Sequence, residues 1–491
     1  MVARIGDLAR HTGIYGIGTI VGGIGRAALV PVIARYVPTG EYGKASVVFI
    51  LITLMAIMSE LGLSSSLIKF VNETKSEEQR RKTIATIITA SLMLAVPIAV
   101  ICALFADSLS AVLLGSPEYS MLILIGIVGG LGNAVLQIGL SFERALARSF
   151  RYVLYTLLKG GLALGLSIVL VVLLRKGALG LLVGSALPPL VIGAVIYGQL
   201  IRRFAVRFSR SVFGPIFHFG SPLVPMNLAM WVLTYSDIYL LRRLTASGAL
   251  SEVGLYQYAH EICLVLVLPI TAFNLAWPQF LFSHHAKPGA PDMFARIHAY
   301  FAFPTVIIGF LLSVFSYGII GLVGSARYAG SSDVIPYLAG SLVFYGFSIF
   351  FASGLYATGK TRILAAIVGA CAGLNIVLNL ILIPEMGKRG AALATLVTNI
   401  LMALIVLAFA QGRYRIPFRL GRTLLGMALG GAIVGVLGRL GIPDLGIGLG
   451  ARAIAACGFG LALLRVLGMG RRDLAAALGM LVSVVKPSSH H

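Results

Sequence analysis

The sequence predicts an all-α polytopic membrane protein of about fourteen transmembrane helices. They would form two pseudo-symmetric six-helix lobes followed by a C-terminal helix pair. Three observations predict this. The chain is 58% hydrophobic and only 11% charged, with a mean hydropathy of +0.96, whereas soluble domains average about 25% charged residues. Apolar runs of about 20 residues recur, separated by polar spacers of about 15 or fewer, which leaves no room for a soluble catalytic domain. Short motifs also return at nearly constant spacing along the chain.

The predicted spans lie near 12–34, 44–67, 83–105, 119–142, 153–174, 178–200, 217–240, 253–281, 297–323, 334–356, 363–383, 391–411, 421–439 and 447–468. The first is too long for a signal-peptide core and has no small-residue cleavage pattern, so it is expected to be an uncleaved helix. An even number of spans puts both termini on one side. With the termini cytoplasmic, the inner loops hold Lys69, Arg80, Arg81, Arg144, Arg148, Arg151, Arg202, Arg203, Arg413 and Arg415. About 25 basic residues then fall inside and about 10 outside, as the positive-inside rule requires. This topology accounts for the net charge of +22 without a nucleic-acid partner.

Glu41 and Glu252 follow the first and seventh spans 211 residues apart. Arg148-Ser149 returns as Lys360-Thr361 at an offset of 212, and Lys176-Gly177-Ala178 as Arg389-Gly390-Ala391 at 213. The offset covers six spans, so the two halves share one orientation and would be related by an axis along the membrane normal. The expected divisions are 1–210, 211–412 and an appended pair with its tail at 413–491.

Ionisable residues inside spans are costly and therefore informative. Arg26 lies on one helical face with Gly18 and Gly22, where no bulk crowds the cation. It is the first candidate for binding an anionic substrate. Lys159, followed by Gly160-Gly161 in the fifth span, is the second, and Arg35 at the outer mouth is the third. The competing reading for each is a cation that snorkels to an interface or pairs with a carboxylate. Glu60, Asp237 and Glu261 are the candidates for coupling transport to H⁺ or Na⁺. Glu60 is also expected to pair with Lys159, and Asp237 with Arg242 or Arg243. Asn133 with Gln137 and Asn375 with Asn379 are polar i, i+4 pairs suited either to sugar hydroxyls or to hydrogen bonds between helices. Trp231, Tyr235 and Tyr239 offer an aromatic face for sugar rings or for packing. His284-His285 reads as a solvated loop pair. The four cysteines form no metal or disulfide spacing, and no nucleophile–base set or phosphate loop is present, so an enzyme is not expected.

Several stretches occur in an order that resembles the polysaccharide (oligosaccharide) flippases of the multidrug/oligosaccharidyl-lipid/polysaccharide exporter superfamily. They are Arg35-Tyr36-Val37-Pro38 with Glu41-Tyr42-Gly43, Phe219-Gly220-Ser221-Pro222 leading to Ser236-Asp237-Ile238-Tyr239, Glu252-Val253-Gly254 through Trp277-Pro278, and Gly354-Leu355-Tyr356-Ala357-Thr358-Gly359 with Leu374-Asn375 and Gly390-Ala391-Ala392. The match covers about the first 400 residues in order. It departs at Asp237-Ile238, where many relatives carry Asp-Arg. The resemblance implies alternating-access movement of an undecaprenyl-pyrophosphate-linked oligosaccharide in the inner membrane, among membrane lipids. It also implies a polymerase and glycosyltransferases as partners and a lipid-tail groove at the last helix pair. A cation-coupled multidrug exporter of the same fold and a non-transporting scaffold of polysaccharide assembly are the alternatives.

Overall fold

In a computed structural model, residues 25, 28–74, 76–204, 207–245, 248–418, 420–439, 447–468, 470 and 473 are described. The described residues are mostly helical, with no strand among them. Twelve helices are long and apolar enough to cross a membrane, or thirteen if the bent pair Arg210–Gly220 and Leu223–Leu244 is one span. Most of the expected first span, Arg26 included, lies outside the described residues.

The first compact unit is Met1–Gly254. After a helix over 28–36 (α1) come α2 (Thr39–Glu60), α3 (Leu63–Glu73), α4 (Glu77–Leu104), α5 (Ala106–Leu114), α6 (Ser120–Ala145) and α7 (Ser149–Ile168). A single π turn, Val169–Leu173, extends α7. Then follow α8 (Gly177–Phe204), α9 (Arg210–Gly220) and α10 (Leu223–Leu244). The second unit, Leu255–His491, begins within α11 (Ala249–His284). It contains α12 (Ala290–Val314), α13 (Ser316–Val323), α14 (Ile335–Phe351), α15 (Ser353–Ala357), α16 (Thr361–Met386), α17 (Lys388–Gln411), α18 (Leu420–Arg439) and α19 (Ile447–Leu467).

Four expected spans are interrupted among the described residues. The run 297–323 breaks at Phe315 and 334–356 at Ala352. The run 44–67 breaks at Leu61 and Gly62, both in the left-handed region, and 217–240 breaks between Gly220 and Leu223 with a 43° bend. Hydropathy is blind to both breaks because the residues on either side stay apolar. These two breaks meet in space. A Cβ on Gly62 would lie 2.4 Å from the Gly220 carbonyl oxygen, and the Ser66 hydroxyl is within donor range of the carbonyls of Gly62 (3.1 Å) and Ile216 (3.0 Å). These contacts and the edge-on Phe70–Phe219 pair bind α9 to α3. Trp231 Nε1 donates to Thr53 Oγ1 at 3.0 Å and binds α10 to α2. The bent pair therefore belongs to the first compact unit, a division different from the repeat boundary at 210/211.

The repeat is visible in the order of elements. Helices starting at 39, 77, 106, 149 and 177 have counterparts starting at 249, 290, 316, 361 and 388. Within the first unit, two repeated motifs touch. Thr39 Oγ1 and Ser251 Oγ are 2.5 Å apart. A Cβ on Gly43 would lie 1.8 Å from the Leu250 carbonyl oxygen, and one on Gly254 would lie 2.0 Å from that of Thr39. With a 211-residue offset, Gly43 corresponds to Gly254 and Thr39 to Leu250, so each contact is the other with the copies exchanged. Glu41 also accepts a bond from the Ala178 amide at 3.2 Å, which joins two of the motifs found by offset alone.

The second unit is held by aromatic packing. Phe273, Trp277, Phe301 and Phe350 lie with centroids 4.5–6.2 Å apart. Trp277 Nε1 donates to Ser353 Oγ at 2.7 Å. Buried His298 fits among Phe347, Phe350, Phe351 and Phe418. Phe310 and Phe459 stack at 4.0 Å and join α12 to α19, and Arg452 donates to the Val314 carbonyl at the end of α12.

Candidate functional site

The site is built on α6, a helix whose glycines let its neighbours close in. A Cβ at Gly126 would meet Val48, at Gly130 Met55, and at Gly132 the backbone of Leu190, all within 2.5–2.7 Å. Helices α2 and α8 are therefore seated tightly on two faces of α6. Along another face run Asn133, Gln137, Ser141 and Arg144, at spacings of four, four and three that keep them in one stripe. On α7 the matching stripe is Tyr152, Thr156 and Lys159. Its opposite face carries Leu154, Leu158 and Leu162, each more than 40% exposed, as a lipid-facing surface requires. A helix with leucines on one side and a lysine on the other is amphipathic in the sense that turns its polar stripe away from lipid.

Two contacts fix the register of the antiparallel pair. The Arg144 guanidinium lies 5.7 Å from the centroid of the Tyr152 ring, and Lys159 Nζ donates to Asn133 Oδ1 at 3.3 Å. Between them, exposed Gln137 falls level with half-buried Thr156. Asn133 lies halfway along the 26 residues of α6, about 20 Å from either end at 1.5 Å per residue. The lysine ammonium thus sits at mid-depth, at the inner end of a polar ladder that starts at the arginine-rich connection between α6 and α7. A cation at that depth attracts anions strongly because little water screens it.

Arg26, the other cation expected inside the membrane, is outside the described residues. Arg35 is exposed at the end of α1. Glu60 is half-buried and within electrostatic reach of Tyr197, whose hydroxyl meets Ser91 Oγ at 2.7 Å. The expected Glu60–Lys159 ion pair is not formed among the described residues, because Lys159 is drawn to the α6 amide. Arg242 is not the expected partner of buried Asp237 either. Its Nη2 donates to the Leu114 carbonyl at 2.8 Å, where the C-terminal end of α5 favours a cation. Gln257 donates to Glu261 Oε1 at 3.1 Å, while Glu261 Oε2 is buried without a hydrogen-bond partner among the described residues.

Asn375 and Asn379 are fully buried, and the Asn379 amide donates to Asn375 Oδ1 at 3.0 Å. This bond is of the kind that the sequence allows for the pair beside a contact with sugar hydroxyls. Trp231 and half-buried Tyr235 pack with centroids 6.1 Å apart. His284 stacks on Phe280 at 4.3 Å, and the His285 carbonyl accepts from Tyr414 Oη at 2.8 Å, so this pair is packed rather than merely solvated. Sequence reasoning missed Tyr152 and Thr156. Their spacing to Lys159, set against the leucines of the same helix, was the signal available.

Residues 8–278, more than half of the chain, match the family model described as polysaccharide biosynthesis protein. The chain belongs to this family. Among solved structures, this member of the family is similar to the lipid II flippase MurJ in an inward closed conformation, with 15% identity and a TM-score of 0.73 over 94% of this chain and 99% of that one. An inward-facing multidrug resistance MATE family transporter of the MOP superfamily matches at 16% identity and a TM-score of 0.60, over 80% of this chain and 98% of that one. A MATE protein in complex with MaD3S gives 16% and 0.57, over 83% and 96%. A comparison with curated protein sequences finds no match. The fold is that of flippases and transporters of the MOP superfamily, and the protein is a multi-pass membrane protein.

Proposed function

We propose that the protein is a flippase that carries an undecaprenyl-pyrophosphate-linked oligosaccharide from the cytoplasmic to the outer leaflet by alternating access. The product would serve O-antigen, capsule or exopolysaccharide synthesis in the inner membrane, beside a polymerase and glycosyltransferases. The observation that carries this reading is the Lys159 ammonium held at mid-depth by Asn133, on a stripe turned away from the lipid-facing leucines. A pyrophosphate needs such a cation in a place walled off from lipid, because an unpaired anion in hydrocarbon is prohibitively costly. Arg26 would supply a second cation with a planar fork suited to phosphate oxygens, and Arg35 would meet the head group at the outer mouth. The repeated halves 1–210 and 211–412 would rock about their two-fold relation, with both termini cytoplasmic. The pair at 413–491 would hold the lipid tail. Glu261, Glu60 and Asp237 are the carboxylates proposed for H⁺ or Na⁺ coupling.

The experiment is made in a host lacking this gene, by quantifying the lipid-linked intermediate and the surface polymer. The intermediate should accumulate, wild type should restore export, Lys159→Gln should fail at equal expression, and Lys159→Arg should restore part of it. Full rescue by Lys159→Gln would remove the site assignment. A second reading, a cation-coupled multidrug exporter, is favoured by the unpartnered Glu261 Oε2. It predicts unchanged intermediate levels and greater sensitivity to cationic drugs.

A further inference from the structure

We propose that Asn133 is a positioning residue for Lys159 and not a sugar ligand. Its amide makes one bond at each end. Nδ2 donates to the Gly129 carbonyl at 2.9 Å, one turn earlier on the same helix, and this bond aims Oδ1 at α7, where it accepts from Lys159. Gly129 is itself fixed, because a Cβ there would lie 2.9 Å from that of Ala186 and 3.1 Å from Ile52 Cδ1. The order of cause is therefore traceable. Close packing of α2 and α8 fixes the backbone of α6, the Gly129 carbonyl fixes the orientation of the amide, and the amide fixes the ammonium.

A lysine stem is long enough to reach either way along its helix, and left to itself it carries its charge toward water. Water is available at the arginine-rich end, ten residues earlier at Ser149. The carboxamide oxygen offers the ammonium a fixed acceptor at mid-depth and leaves its charge whole. A carboxylate at position 133 would hold it as firmly but would itself neutralise it, so a neutral amide there positions the cation without adding a countercharge. This role matters for transport only if the flippase reading holds, but positioning can be measured without substrate.

The test uses the full-length protein in nanodiscs, treated with a water-soluble amine-acetylating reagent, with acetylation followed at Lys159 by peptide mass spectrometry. Exposed Lys82 serves as the internal reference. Asn133→Ala should raise the Lys159 rate about tenfold, roughly what a hydrogen bond to a charged group is worth. Asn133→Gln should restore part of the protection and Asn133→Asp should deepen it. In the strain assay Asn133→Asp should lose export although its lysine is protected. Asn133→Ala should add nothing to Lys159→Gln, as expected for residues that act as a unit. An unchanged acetylation rate in Asn133→Ala, with wild-type melting temperature, overturns the proposal. If acetylation shifts as expected while export never depends on Lys159, positioning stands and the flippase site falls.

Discussion

Glycine at 43 and 254 illustrates how a single hydrogen atom in place of a methyl group decides a contact. Both residues sit where one helix start crosses the backbone of its repeat counterpart, closer than any side chain allows. Gly43→Ala and Gly254→Ala should each destabilise the protein by about 1–3 kcal/mol, the usual cost of overpacking a tight site. Gly40→Ala is the control, since a Cβ there would meet nothing within 4 Å and alanine is the better helix former. Melting temperatures of the three variants in detergent check this, and an unaffected Gly43→Ala would contradict the close crossing. Lys159 belongs to the same scale. Its spacing from Gly160-Gly161 marked it as unusual in the sequence, but the partner that fixes its depth is 26 residues away on another helix.

At the scale of elements, the paired breaks carry the most consequence. Leu61 and Gly62 interrupt one span, Gly220 ends the first half of another, and the two breaks are packed against each other with Ser66 between them. Alanine at 62 would meet the Gly220 carbonyl and would also have to adopt the left-handed conformation at φ 74°, which costs an L-residue about 1–2 kcal/mol. Gly62→Ala should therefore loosen α9 from α3 and speed proteolysis at 207–209, just before α9, whereas Gly160→Ala, in open space, should not. Equal cleavage rates would show that the breaks are independent. Neither break was legible beforehand. Apolar runs predict where a chain can cross lipid, but whether the helix stays straight depends on what packs against it. For most of the other described helices the apolar runs gave the ends within a few residues, because twenty residues without charge leave no alternative that satisfies the backbone in lipid. The run 297–323 is an exception, its helix spanning Ala290–Val314.

For the whole molecule, the excess of arginine and lysine at one end of the first unit makes orientation testable. Single cysteines at Asn72, Ser211 and Arg413 should react with a membrane-impermeant thiol reagent only when the cytoplasmic side is exposed, and one at Glu118 only from outside. The opposite pattern would reverse the direction of transport proposed above. The background variant should lack Cys102 and Cys457, the two native cysteines that are not buried.

By itself the sequence determined the all-helical fold class and the presence of many apolar runs long enough to cross a membrane. Each follows from local composition or from spacing along the chain, which need no knowledge of contacts. Only the tertiary structure decided which polar residues meet. It joined Lys159 to Asn133 and not to Glu60, and closed Asn375 on Asn379. It also turned Arg242 to a helix end and set Gly43 against the backbone of its own repeat. These outcomes depend on how closely helices approach and how they are rotated about their axes. A difference of one turn or one methyl group changes the partner while leaving the hydropathy of the span unchanged.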